Sequence, residues 1–532
     1  MPTETGVHAF NHALTREVAY GLMMGEQRRD LHRSMAQCYE EDEGDHDAFY
    51  PILAHHWLRA ENAEKAVSYL TRAAVSSLAH GMPREAVAHG VQAAALLGVE
   101  LETDPAKIRA ILPDELAEIE RLMAGRQPAD LAGLPELIDE AIGGGIGIVL
   151  QSMPSAHQSL QTELFALMAI RNLNLTLRFG AGILAPGVYA MYSVVLRGLG
   201  ADSATAYAFS ELARKVDAAN GGLLAAVVAF VHVWFNNHWH QPLASGIPIA
   251  RAGADAGLAG PDPLYGSFNL AAATTALATS GAHLDEVIAA GEADLERIGS
   301  RSATAAFHCR LEVQMAKALA GRTPDLTSLS DGQFDEQDLA AMATTSNFNQ
   351  TAYYLIAKVR LAYLAGNAAE ACDWAERAEA LLPSFAGQPG QGELAVLGAL
   401  ARLATLPAEP ADRSEALGAV RRRLAELEQW ATACPANFES KAGLVRAELA
   451  AADGDLVVAD EAFGQAIVSA LGYGFTQWAA LAAERRGMVM RVSNPAAARA
   501  SFADAAAYYQ AWGATRKARE LEASAERDVP TV

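Results

Sequence analysis

Cysteine is nearly missing from this chain. Cys38, Cys309, Cys372 and Cys434 stand far apart, and no C-x-x-C pair occurs. The sequence therefore encodes neither a zinc ribbon nor a disulfide framework, and the four read as ordinary buried thiols of a reducing compartment. β-Branched and aromatic runs are scarce, with aromatic residues at 7%, so few strands are expected. Basic residues are also in short supply: 41 Lys and Arg against 63 Asp and Glu give a formal charge of -22. A surface of that sign repels phosphate backbones and acidic lipid, which argues against nucleic acid as a direct partner. Long apolar runs are missing too. The most apolar, Gly221 to Phe235, contains His232 and falls short of the ~20 residues a bilayer span needs; it reads as a buried helix, and no membrane insertion is expected. The N-terminus lacks the basic-then-apolar order of a secretory signal, so the expected location is the cytoplasm.

What the chain has is alanine, a hydrophobic fraction of 51% and a length of 532 residues. Alanine loses no side-chain entropy in a helix, so the composition favours helices. The length exceeds the roughly 250–300 residues at which one core stops growing, which requires several domains or a repeat array.

Self-similarity points to the array. From Tyr50 to Ala73 two helical patterns flank the break Arg59-Ala60-Glu61-Asn62. Tyr50, Leu53 and Trp57 share one face of the first, with the small Ala54 beside them. Ala66, Leu70 and Ala73 then recur at the spacing of one buried stripe. The second-helix pattern returns as Ala371, Ala375 and Ala378, as Ala459, Phe463 and Ala466, and as Ala498, Phe502 and Ala505. Each follows a turn that contains Gly, Asn or Pro, residues that stop helices. Such units are tetratricopeptide-like helical hairpins, and the expected fold is all-α, a tetratricopeptide-like helical-hairpin solenoid or superhelix.

Along the chain this reading gives five segments: residues 1–48 as the helical end of a winged-helix-like module, 49–127 as tetratricopeptide-like hairpins, 128–322 as irregular helical repeats, 323–525 as C-terminal tetratricopeptide-like repeats, and 526–532 as a frayed tail. Within 128–322, short Gly/Pro breaks at Phe179 to Gly182, Gly198 to Gly200, Asn220 to Gly222 and Gly260 to Pro263 suit helix-to-helix connections. Ala320 to Gln337 and Ser384 to Gly392 gather Pro, Ser, Asp, Gly and Gln with little apolar periodicity and read as linkers.

Phe10 to Tyr20, followed by Arg28-Arg29-Asp30-Leu31-His32, resembles the end of the winged-helix-like module behind the nucleotide-binding domain of large signalling ATPases of the STAND/AAA type, including those fused to class III adenylate/guanylate cyclases. Leu53 to Ala74, with its His-Trp and Glu-Lys-Ala, resembles the element that follows there. Leu173 to Phe179, Tyr189 to Tyr192, Val231 to Trp239, Trp430 to Glu448 and Tyr508 to Gly513 resemble the helical-repeat region of predicted ATPases joined to Ser/Thr kinase and sensor histidine kinase modules. The resemblance implies a regulatory region whose nucleotide and output domains sit elsewhere. The chain has no G-x-x-x-x-G-K-[ST] loop, kinase catalytic loop, D-F-G segment or cyclase metal site, so those activities are not carried over.

Other motifs favour ordinary readings. Gly143-Gly144-Gly145-Ile146-Gly147 has no preceding strand and no following Lys, and reads as a turn between hairpins. His232, His238 and His240, at i, i+6 and i+8 of one helix, would not converge on a metal; Trp234 and Phe235 would pack between helices, with His240 at the turn opened by Pro242. His55-His56-Trp57 is read as packing, and Glu40 to Asp47 as a solvated connection without calcium-loop spacing. No G-x-S-x-G occurs, and Cys38 lies beside acidic residues that disfavour a thiolate. No metal, cofactor or catalytic residue is assigned.

A solenoid without chemistry offers a groove lined by inner-helix side chains. The candidate partner contacts are Trp234, Asn236, Asn237, Asn347, Asn349, Tyr353 and Tyr354, with core packing as the competing fate of the Trp and Tyr. The expected role is a non-catalytic interaction or sensor scaffold for a protein partner such as an ATPase, kinase or cyclase. The alternative is a small-molecule receptor with a pocket in Leu173 to Tyr265, and the small-molecule ligand would enter there.

Overall fold

The computed structural model describes residues 13–42, 46–198, 203–344 and 347–527. Parts of the resemblance segment, the acidic run and the break after Gly198, and residues 528–532 of the tail, lie outside the described residues. The described chain is all-α. It contains no strand, only an isolated parallel bridge between Glu136 and Ala181. No helix among the described residues is long and apolar enough to cross a membrane.

Two compact units form, Met1–Leu122 with Pro135–Leu184, and Met123–Leu134 with Ala185–Val532. The first holds α1 (Ala13–Leu22), α2 (Gly25–Asp42), α3 (Tyr50–Arg59), α4 (Ala63–Ala79) and α5 (Pro83–Leu96). It also holds α6 (Pro105–Met123, but for its last residue), α7 (Glu140–Gln158) and α8 (Thr162–Phe179). Its helices start where the chain supplies caps: the Asn62 side chain accepts from Lys65 N, and that of Asp139 from Ile142 N. Leu53, Ala54 and Trp57 of α3 and Ala66, Leu70 and Ala73 of α4 are all buried.

Two readings are corrected in this unit. The glycines at 143–147 are not a turn but lie within α7, where the tightest approach is at Gly145: a Cβ there would stand 2.5 Å from Val99 Cγ2, and one on Gly147 3.0 Å from Leu184 Cδ1. Glu40 is no solvated connector. Its carboxylate accepts from Trp57 Nε1 at 3.0 Å, Tyr69 OH at 2.9 Å and Lys65 Nζ at 2.8 Å, and so ties α2 to α3 and α4.

The second unit holds α9 (Ala185–Gly198), α10 (Ser203–Ala219), α11 (Ala225–Val231), α12 (Gly246–Ala259), α13 (Pro263–Thr279) and α14 (Leu284–Ile298). There follow α15 (Ala303–Leu319), α16 (Glu336–Thr344), α17 (Phe348–Leu364), α18 (Ala368–Glu379), α19 (Pro389–Ala404) and α20 (Pro410–Ala433). It ends with α21 (Pro435–Ala452), α22 (Leu456–Gly472), α23 (Thr476–Met490), α24 (Pro495–Trp512) and α25 (Thr515–Arg527). One connection recurs. A glycine ends the helix with positive φ, 84° at Gly366 and 87° at Gly454, and the next residue donates to a carbonyl five positions back, Asn367 to Ala362 and Asp455 to Ala450. Arg322 to Lys317 and Phe475 to Ala470 repeat it. In the three later stripes only Phe502 is not fully buried.

Helices adjacent in sequence pack in pairs, and α13, α15, α17, α19, α21 and α23 also touch one another in that order. The end of this series returns to its start: Gln477 Nε2 donates to Thr279 O at 3.0 Å, and Thr515 Oγ1 to Ala320 O at 3.0 Å. The stretches read as linkers are packed instead. Leu326, Leu329 and Phe385 are buried, and Lys317 Nζ holds Asp331 at 3.0 Å. Apolar anchors spaced too irregularly for either helix or strand periodicity make them look loose in the sequence. Of the thiols, Cys309 and Cys434 are buried, Cys372 is half-buried and Cys38 is exposed, because it faces outward on the polar helix α2.

Candidate functional site

Four of the helices that touch in the interior of the second unit each place a charge where apolar residues surround it. Glu312 (α15), Arg360 (α17), Glu393 (α19) and Lys441 (α21) come from four successive members of the series. Arg360 pairs with Glu393, and Lys441 Nζ reaches the same carboxylate at 3.3 Å. Lys441 also sits over the rings of Phe438, Phe475 and Trp478, 5.2–5.7 Å from their centroids. Burial works to raise the Glu393 carboxyl, but Arg360 and Lys441 outweigh it and hold the group below its ordinary value. Lys441 is pulled down by burial despite Glu393.

Glu312 is different. It is 6% exposed and has no ion pair among the described residues. Burial pushes its carboxyl up to about 7, with Glu393 adding to the rise and Arg360 opposing it. Glu312, Arg360 and Glu393 line a small cavity of about 20 Å³, room for a single water, between α13, α15, α17 and α19. Thr275, Thr279 and Tyr353 supply its other polar groups, and Leu311, Met315 and Ile356 make its walls apolar. It lies beyond Leu173 to Tyr265, where a pocket was expected.

A second buried network lies farther along. Glu484 accepts from Lys517 Nζ at 2.7 Å and Tyr509 OH at 2.7 Å, and Arg485 pairs with Glu448 beside the Tyr363 ring.

The seven residues expected to face a partner are mostly turned inward. Trp234 and Tyr353 are buried and stacked at 5.7 Å, with His308 edge-on to both. Asn236 is buried and donates to Ser193 Oγ at 3.0 Å; Asn237, also buried, donates to Ser245 Oγ at 3.1 Å. Asn347 caps α17, Asn349 donates to Ser384 O at 2.8 Å, and the Tyr354 hydroxyl meets Glu336 at 2.8 Å. Core packing won for Trp234 and Tyr353 because the interior into which they point is filled by neighbouring helices. His232 and His238 do not share one helix either: a π-helical turn at His232–Asn236 is followed by a 3-10 turn at Asn237–Trp239. Among the described residues no group of three or more His, Cys, Asp or Glu is arranged to hold a metal ion.

Sequence reasoning missed Glu312, Arg360, Glu393, Lys441, Glu484 and Lys517. Glu312 raises a testable point of its own. With its folded value above the ordinary carboxyl range, its contribution to stability is present below the unfolded value and is lost as pH rises through about 7. Glu312→Gln should therefore stabilise the protein at pH 8, on the order of 1–3 kcal/mol, and make no comparable difference at pH 4.5. Urea titrations at the two pH values measure this.

No protein-family model matches the chain, and no match is found among curated proteins.

Proposed function

We propose that the chain is a tetratricopeptide-like helical-hairpin solenoid that works as a non-catalytic interaction and sensor scaffold, the regulatory helical-repeat region of a signal-transducing ATPase, cyclase or kinase system. The recurring Gly-ended connections and the ordered contacts between alternate helices support the solenoid reading. The resemblance of Phe10 to Tyr20 and Leu53 to Ala74 supports the signalling context.

The observation that carries the interaction role is α22. Its inner face, Ala459, Phe463, Ala466 and Ala470, is buried, as a paired helix requires. Its outer face carries exposed apolar residues beside Glu461 and Gln465: Val457 is 71% and Val468 72% exposed, with Leu471 and Tyr473 exposed beyond them. α22 packs against α21 and α23, and neither covers Val457 or Val468. Solvent contact along that stripe has no folding benefit, which makes it a docking surface for a protein partner.

A photocrosslinking residue at position 468 should trap a defined protein, and Val457→Asp on the same face should abolish trapping while leaving helicity and melting unchanged. Trapping that ignores Val457→Asp would remove α22 from the interface. Nucleotide turnover that co-purifies with the chain through every step would overturn the non-catalytic role.

A further inference from the structure

We propose that His32 and His56 form a proton-operated latch that holds α1 on α2 and α3, closed while the pair carries at most one added proton and opened by a second. The inference goes beyond the docking role of α22: it adds acidity as an input and places it in the first unit.

α1 has little else to hold it. Among the described residues it packs closely against no other helix, and its Val18 and Leu22 are 55% and 81% exposed. Tyr20 is its anchor. The Tyr20 hydroxyl meets His32 Nε2 at 2.8 Å, and the Arg28 guanidinium lies 5.6 Å from the ring centroid. His32, buried on α2, turns its other nitrogen toward α3, where the two Nδ1 atoms of His32 and His56 stand 2.8 Å apart. One chain of hydrogen bonds thus runs from Tyr20 through His32 to His56 and crosses three helices.

Counting hydrogens shows how that chain responds to acid. A neutral imidazole has one N–H and one bare nitrogen. With both rings neutral, Tyr20 donates to His32 Nε2 and His32 Nδ1–H donates to His56 Nδ1. A first added proton is accommodated, because His32 then donates from both nitrogens, to the Tyr20 oxygen and to His56. A second puts a hydrogen on each Nδ1, and two N–H groups of like charge point at each other. No change of tautomer relieves this contact, since an imidazolium has no acceptor. α2 and α3 are fixed to one another by Glu40 and by the packing of Ala36 with Leu53 and Trp57. The His32 ring therefore gives way on the other side, where only the loosely held α1 opposes it.

The surroundings act in the same direction. His55 lies edge-on to both rings, with centroids 5.8 Å from His32 and 5.5 Å from His56. Arg59 of α3 adds its charge, Arg28 of α2 covers Tyr20, and the neutral Tyr39 ring stacks on His56. The carboxylates of this end are engaged elsewhere, Glu61 with Arg29 at 3.3 Å and Asp30 with Arg33 at 2.8 Å. Burial holds His32 below its ordinary 6.5, with His56, His55 and Arg59 adding to the effect, and burial with His55 does the same to His56. A depressed base contributes its stability above the unfolded value and loses it as pH falls toward the folded one. The latch is therefore closed at pH 7.5 and opens as pH drops below 6.5.

The test is hydrogen exchange of the full chain, read by mass spectrometry at pH 7.5, 6 and 5 in the presence of EDTA and corrected for intrinsic exchange. Amides of α1 should be protected at pH 7.5 and exchange about tenfold or more faster at pH 5, while those of α5 to α8 keep their protection. His56→Asn sets an amide oxygen in the place of Nδ1, accepts from His32 at every pH, and should keep α1 protected at pH 5. Tyr20→Phe removes the link and should open α1 already at pH 7.5. Equal protection of α1 at pH 7.5 and 5, opening of α5 to α8 together with α1, or an undiminished loss in His56→Asn would each overturn the latch. If His56→Asn does not fold, the comparison within the native chain still decides. Trapping at position 468 is measured at pH 7.5, so the scaffold reading stands or falls separately.

Discussion

Replacing Lys517 by Met is expected to destabilise the second unit by about 3–5 kcal/mol. Lys517 lies on α25 and is 8% exposed; its Nζ donates to Leu364 O at 2.6 Å and Glu484 Oε1 at 2.7 Å. Glu484 is more deeply buried, and the Tyr509 hydroxyl is its other donor. Removing the ammonium leaves a buried carboxylate with half its partners and strands a helix-end carbonyl, whereas methionine restores only the apolar stem. The ion pair itself need not be strongly stabilising. Exchanging both partners together, Lys517→Met with Glu484→Leu, should cost less than the single change, since no uncompensated charge remains. Urea unfolding of the three proteins measures both values. A single-variant loss below about 1 kcal/mol, the range of a surface pair, would show that water reaches Glu484.

The position of Lys517 also explains why the interior is closed. Thr515 and Arg516, on the same turn, bond to Ala320 O and Thr323 Oγ1 at the end of α15. The first turn of α25 thus joins residues nearly two hundred positions apart, and the stretch from 320 to 337 is held in place by it instead of acting as a linker.

Local pattern was legible wherever burial follows one helix. The stripes of α3 and α4 could be read because spacing alone puts Leu53 with Trp57, and Ala66 with Leu70 and Ala73, on one face. The glycines of α7 were misread because a glycine run looks alike whether it turns or lets Val99 and Leu184 come close; the difference lies in a partner segment. Trp234 and Tyr353 looked available for contact for the same reason: nothing near either in sequence announces the other. One interior charge did leave a trace. Arg310 stands two residues before Glu312 and Glu439 two before Lys441, which makes those two look like ordinary charged turns of a helix, whereas Glu393 in Gly392-Glu393-Leu394-Ala395-Val396 is a lone charge in apolar surroundings. Such a charge is almost never fully buried without a partner. The trace names a buried charge but not its counterion, which comes from a helix tens of residues away.

Lowering the pH from 7.5 to 5 should bring the largest loss of stability. Burial pushes His232 and His238 each down to about 3, with Arg214 and Arg197 respectively adding to the effect, and His308 down to about 4. Each is therefore neutral in the folded chain and protonated in the unfolded one once pH falls below the unfolded value near 6.5. A depressed base contributes its stability above that value and loses it as pH falls toward the folded one. At pH 5 the loss is about 2 kcal/mol per histidine, roughly 6 kcal/mol for the three. Glu312 works in the opposite direction and returns part of this between pH 7 and 4.5. The remainder is still a large fraction of the ~5–15 kcal/mol of an ordinary domain. The three histidines sit at the junction of the π-turn with α10, α15 and the start of α19, where Ser210 meets His232 at 2.8 Å and Asn349 bonds His308. Denaturant midpoints at pH 7.5, 6 and 5 should fall steeply, and His308→Gln should flatten part of the slope by removing one titrating group while keeping a hydrogen-bonding side chain. Equal midpoints at all three pH values would mean that these imidazoles are hydrated and that the interior is open to water.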